Sequence, residues 1–173
     1  MRTRQKYGGE PEPEAPWHEI VPGMWMGGHH WAPAGGEPRP AIVGSEFDLV
    51  VSLYRRDGHG PHPGVEHLVA EIPDAPLATD QLLAARGLAR RAAQAVADGR
   101  AVLVRCRSGY NRSGLVVAQT LVDLGHEAGA AVELVRARWS KWALNNRVFV
   151  EYLATGLETA ALLTGLGDAG DTR

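Results

Sequence analysis

Val102-Leu103-Val104 is an apolar run of strand character, and Leu115-Val116-Val117-Ala118 is an apolar run of helix character. The segment between them is short and polar. A chain with this order turns from strand to helix over Cys106–Arg112, so that successive backbone N–H groups and a helix N-terminus converge on one point. Cys106, the only cysteine, stands at the strand end of that turn. The field that binds an anion there also stabilises a thiolate, so nucleophile and substrate pocket arise together. Phosphate is the natural guest, and Arg112 can clamp two of its oxygens with its planar fork. Gly109 is expected where the loop backbone must turn inward without a Cβ in the way.

The remaining pattern places that turn in a larger frame. Ile20-Val21 and Met24-Trp25-Met26-Gly27 read as two short strands around Pro22-Gly23. Residues 32–40 and 55–64 are rich in Gly and Pro and read as loop. Asp48–Leu53 is a valine-rich run consistent with a buried parallel strand, and Val65–Ile72 is a further strand ended by Pro73. Thr79 or Asp80 should cap a helix stopped near Gly99; helices follow over 113–124, 128–139 and 148–163. Strands interleaved with helices, then a helical C-terminal third, indicate an α/β fold: a central, mainly parallel sheet flanked by helices.

At 173 residues and 45% hydrophobic composition the chain suits one soluble domain. The expected organisation is a flexible tail over 1–16, a domain over 17–163 and a second flexible tail over 164–173. A net charge of −2 gives no reason to expect nucleic-acid or membrane partners. No run approaches a membrane span, and the basic start of the sequence has no apolar segment behind it that would suggest secretion. One cysteine cannot form an internal disulfide, which favours a reducing, cytoplasmic setting.

Each site residue has a plainer reading beside the chemical one. A lone cysteine is often a small buried hydrophobe. Ser113 could donate its hydroxyl to the sulfur or serve as a helix N-cap. Arg112 could be an exposed arginine at a helix start, though cations are unfavourable there unless something anionic compensates. His29-His30 and the group His59, His62 and His67 read as solvated loop residues or partial lining of a substrate mouth, with no metal site. Trp139 and Trp142 read as cover for the helical layer.

The spacing Cys106-x5-Arg112 followed by Ser113 resembles the dual-specificity, cysteine-dependent phosphatases of the protein tyrosine phosphatase superfamily. Ile20–Gly27 resembles that family's opening hairpin, Phe47–Leu53 its next strand, and Arg136–Trp139 through Asn146-Arg147-Val148-Phe149 its late helical segment. The resemblance covers roughly residues 18–155 and implies hydrolysis of phosphotyrosine and/or phosphoserine/threonine through a phosphocysteine, without metal or cofactor. It implies Cys106 as nucleophile, Arg112 as clamp, Ser113 as helper and Arg107, Ser108, Gly109, Tyr110 and Asn111 as the substrate cradle. It also implies a general acid on a separate loop about thirty residues before the cysteine. Asp74, between Pro73 and Pro76, fits; it could also be an ordinary turn aspartate. Asp80 suits helix capping better, and Asp57 lies among glycines.

Three positions depart from the family pattern. Arg105 replaces the usual histidine before the cysteine, which supports the loop through hydrogen bonds; reduced or retuned activity is expected, more than none. Gly114 replaces a common proline. Arg107, basic where protein phosphatases often carry a small residue, resembles the phosphoinositide and inositol-phosphate branch, although a solvent-facing arginine is the plainer reading. Two other functions stay open. Cys106-Arg107-Ser108-Gly109 resembles the rhodanese sulfurtransferase loop, which is usually one residue shorter, and Arg105 leaves room for a pseudophosphatase that only binds phosphorylated partners.

Overall fold

The computed structural model describes residues 10–170. In chain order the strands are β1 (Trp17–Val21), β2 (Met24–Gly27), β3 (His30–Trp31), β4 (Arg39–Pro40), β5 (Leu49–Ser52), β6 (Glu66–Val69) and β7 (Val102–Arg105). The helices are α1 (Thr79–Ala97), α2 (Arg112–Asp123), α3 (Ala128–Arg138), α4 (Arg147–Thr155) and α5 (Leu157–Gly170). The main sheet has the order β1-β2-β7-β5-β6. Within this sheet the β1–β2 hairpin is antiparallel, and β2–β7, β7–β5 and β5–β6 are parallel. β7, the strand that delivers the cysteine, is therefore central.

Strand alternation divides the core in two. Met24, Met26, Leu49, Val51, Val102 and Val104 join buried side chains from all five helices, including Leu82, Leu115, Val132, Phe149 and Leu157. Val50 and Leu103 point the other way, into a smaller cluster with Val43 and Phe47, and Trp17 and Trp25 pack on it. Both tryptophans meet Phe47 edge to face, at 5.4 and 5.9 Å between centroids. With both faces covered, β5 and β7 are buried at every position and apolar up to their last residues, Ser52 and Arg105, instead of alternating.

Helix ends follow local chemistry. α1 and α2 stop at Gly99 (φ 78) and Gly125 (φ 108). Arg100 N–H closes on Ala95 O at 2.9 Å, and His126 N–H on Leu121 O at 3.0 Å, the six-to-one bond of a glycine-terminated helix. The start of α1 corrects the expected cap. Ala78 holds the cap position, and its N–H is satisfied by Gln81 Oε1 at 2.8 Å, while Thr79 Oγ1 turns to Ala161 O at 3.4 Å. The single helix expected over 148–163 is two, broken at Gly156 (φ 95), and the second continues to Gly170 past the expected boundary at 163. The loop expected over 32–40 contains β4, paired antiparallel with β3. No helix among the described residues is long and apolar enough to cross a membrane.

Gly114 is explained by packing. A Cβ there would lie 2.9 Å from Cγ of Leu144. Leu144 is 1% exposed with a left-handed backbone at φ 56, and cannot easily retreat. Gly114→Ala gains helix propensity of up to about 1 kcal/mol but overpacks a closed core. A net loss of about 1–2 kcal/mol is expected, visible as a lower midpoint in thermal unfolding; an unchanged or raised midpoint contradicts this packing.

Candidate active site

β7 ends at Arg105, and Cys106 sits directly between the centre of the sheet and α2, 1% exposed. Its Sγ accepts the Gly109 N–H at 3.2 Å and lies 3.3 Å from Ser113 Oγ in the first turn of α2. Gly109 adopts φ 80, a conformation that turns its N–H back onto the sulfur. The loop lies tightly on the end of β2: a Cβ on Gly28 would come within 3.0 Å of Arg107 O.

Arg112 opens α2. Its Nη1 donates to Ile72 O at 3.1 Å, and its Cζ stands 5.7 Å from the centroid of the Tyr54 ring. Its Nε is buried with no hydrogen-bond partner. An orphaned donor on a permanent cation is costly unless an acceptor arrives, and a cation at a helix N-terminus asks for an anion.

Asp74 follows β6 and is brought to this loop by two amides. Asn111 Nδ2 donates to its Oδ2 at 3.0 Å, and Asn146 Nδ2 donates to its Oδ1 at 2.8 Å. Asn111 also accepts from the Asn146 N–H at 2.9 Å and donates to Asn145 Oδ1 at 3.1 Å. One residue of the cysteine loop thus carries the aspartate and the segment leading into α4. The carboxyl remains exposed.

Solved structures share this frame. Human DUSP28 is 25% identical, with a TM-score of 0.65 over 86% of this chain and 96% of that one. Tk-PTP in its active form is 24% identical, with a TM-score of 0.58 over 83% and 96%. PTPMT1 is 16% identical, with a TM-score of 0.55 over 90% and 99%. The chain has the fold of the tyrosine and dual-specificity phosphatase superfamily. No protein-family model and no curated protein sequence matches it.

Within this phosphatase fold the expected site residues divide. Cys106, Arg112, Ser113 and Gly109 converge as described, and Asp74 is joined to them through Asn111. Arg107 and Ser108 are half-buried on the loop. Tyr110 and Asn111, expected to line the cradle, direct their side chains elsewhere. Tyr110 is 3% exposed and its hydroxyl donates to Pro11 O at 2.6 Å; Asn111 spends its amide on the aspartate network. What they can offer a ligand is backbone. Asp80 lies in the first turn of α1 and Asp57 in an exposed turn.

Residues 10–16, expected within a tail, pack beside the loop. Glu10 is 7% exposed and accepts a hydrogen bond from Asn145 Nδ2. Burial raises its pKa above the ordinary carboxylate value, and the nearby Asp74 charge adds to the effect. Pro11–Ala15 form one wall of a cavity of about 460 Å³ opposite Tyr110, Trp139 and Trp142. Residues 1–9 of that expected tail lie outside the described residues. Trp139, read as cover, also reaches the loop: its Nε1 donates to Gly109 O at 2.7 Å.

The histidines are the main correction. His29 and His59 are 0% and 6% exposed, buried behind the loop instead of solvated. Arg105 and the Val43 N–H, which donates to His59 O at 3.1 Å, hold the second in place. Fully buried itself, Arg105 donates from Nε to Ser52 Oγ at 3.0 Å, from Nη1 to His59 O at 2.8 Å and from Nη2 to Gly60 O at 2.6 Å. It thereby draws the 55–64 loop onto the sheet. Burial lowers its pKa to about 10, which still leaves it charged at neutral pH. Ser52 Oγ lies 2.8 Å from Nε2 of His67, whose pKa is lowered by burial and then by the Arg105 charge.

Burial also lowers the His29 pKa from 6.5 to about 3. An unfolded chain therefore takes up a proton between those values that the folded chain refuses, so stability rises with pH through this window and is level above it. At about 1.4 kcal/mol per unit, His29 alone removes roughly 3 kcal/mol of stability between pH 7 and about 4.5. His59 and His67 act in the same direction. Denaturant unfolding at the two pH values checks this; equal stability at both contradicts a neutral, buried His29.

Proposed function

We propose that this protein is a cysteine-dependent phosphatase that hydrolyses phosphate monoesters, phosphotyrosine and/or phosphoserine/threonine, through a phosphocysteine intermediate. One observation carries the reading: the Cys106 sulfur, held by an inward N–H and a hydroxyl at the N-terminus of α2, shares its loop with an arginine whose buried Nε has no partner. A tetrahedral oxyanion supplies what both groups lack.

In the first step the Cys106 thiolate attacks phosphorus in line. The S–P bond forms, the P–O bond to the leaving group breaks, and Asp74 gives that oxygen its proton. Arg112 and the loop N–H groups hold the equatorial oxygens, so charge is stabilised where it develops. In the second step water attacks phosphorus and passes a proton to the Asp74 carboxylate. The S–P bond breaks, and Ser113 donates to the departing sulfur.

Turnover of p-nitrophenyl phosphate and of thiosulfate with cyanide, measured side by side, tests this. Phosphate release without thiocyanate is expected; thiocyanate formation would establish a sulfurtransferase instead, and phosphate binding without turnover a pseudophosphatase. Asp74→Asn should lower kcat on the order of 10²-fold on an alkyl phosphate and by less on p-nitrophenyl phosphate, whose leaving group needs little protonation. An equal loss on both would contradict a proton-donor role.

A further inference from the structure

We propose that His29 is the residue that orients the phosphate cradle, a task that the residue directly before the cysteine does not perform in this chain. The proposal rests on the cradle reading given above. In a trans peptide the C=O of one residue and the N–H of the next point in opposite directions. Fixing a loop carbonyl outward therefore turns the following N–H inward. His29 fixes two in succession. Its Nδ1 lies 2.8 Å from Cys106 O, and its backbone N–H donates to Arg107 O at 3.0 Å. The N–H groups so directed are those of Arg107 and Ser108.

The chemistry of the first bond is unambiguous. A carbonyl oxygen only accepts, so Nδ1 carries the proton. A ring kept neutral by burial then leaves Nε2 bare, and Nε2 is buried with no hydrogen-bond partner. The imidazole also meets Tyr54 edge to face at 5.0 Å, and Tyr54 presents its ring to Arg112. One side chain thus stands behind both nucleophile loop and clamp. Arg105, by contrast, directs its hydrogen bonds to Ser52, His59 and Gly60. The absence of a Cβ on Gly28 is what lets the His29 backbone come this close to the loop.

The test compares His29→Asn, His29→Gln and His29→Leu in the full chain. An Asn amide can place an N–H near the Nδ1 position, whereas the Gln amide reaches the Nε2 position. Two readouts do not depend on turnover: the pH midpoint of Cys106 alkylation by iodoacetamide, and the affinity for inorganic phosphate. Asn should stay close to wild type in both. Gln and Leu should raise the alkylation midpoint by about one unit and weaken phosphate binding. They should also lower kcat on the order of 10²-fold, the scale of one lost oxyanion donor. If Leu fails to fold, the Asn and Gln pair decides. Asn and Gln behaving alike, or midpoint and phosphate affinity unchanged in Gln, overturns the proposal. A wild type that binds phosphate without turnover would overturn the phosphatase reading alone, since both readouts would still respond to His29.

Discussion

Cys106→Ser is expected to abolish p-nitrophenyl phosphate turnover, a loss on the order of 10⁵-fold or more, while the protein remains folded. The substitution exchanges sulfur for a slightly smaller oxygen at a site that is 1% exposed but already polar. The Gly109 N–H and the Ser113 hydroxyl can both meet a serine hydroxyl, so no buried donor is orphaned. Thermal unfolding should shift by only a few degrees, equivalent to about 1 kcal/mol. What is lost is the anion. The thiolate is the attacking species, and a serine alcohol in its place is far less acidic than a thiol, so no effective nucleophile remains. Phosphate affinity should persist, because Arg112 and the loop amides are untouched. Residual turnover within tenfold of wild type would remove Cys106 from the reaction.

Arg112→Lys ranks second. Lysine keeps the charge, yet it lacks the fork that can engage two oxygens and the plane that rests on Tyr54. It also cannot hold Ile72 O and an anion with fixed geometry, as the guanidinium can through Nη1 and Nε. The expected result is a fall in kcat on the order of 10³-fold, the lower end for a transition-state arginine, with weaker inhibition by phosphate. The loss should fall mainly on kcat, since the equatorial oxygens carry most charge in the transition state. An Arg112→Lys protein with near-normal kcat would make the arginine structural.

How much of this could be read in advance depended on range. The turn from β7 to α2 was legible because residues adjacent in sequence build it: apolar runs of two different periods, with Gly109 between them. Gly99 and Gly125 announced helix ends for the same local reason. Asp74 could be suggested only through a resemblance, because its link to the loop passes through Asn111 and Asn146, far away in sequence. His29 carried no local signal at all. It lies on a Gly- and His-rich stretch that resembles solvated loop, and only the parallel pairing of β2 with β7 sets it behind the cysteine. Arg105 was visible as a departure, but its direction away from the loop follows from the fold of the 55–64 segment. The packing of Glu10 and Pro11 against Asn145 and Tyr110 was hidden by a composition typical of tails.

The central claim is that phosphate passes through the Cys106 sulfur. Acid-quenched reaction of the full chain with radiolabelled p-nitrophenyl phosphate, followed by peptide mapping, measures this directly. The account predicts label on the peptide containing Cys106, formed as p-nitrophenol is released and absent in Cys106→Ser. Steady p-nitrophenol release with no label on that peptide, or label that persists in Cys106→Ser, would contradict it.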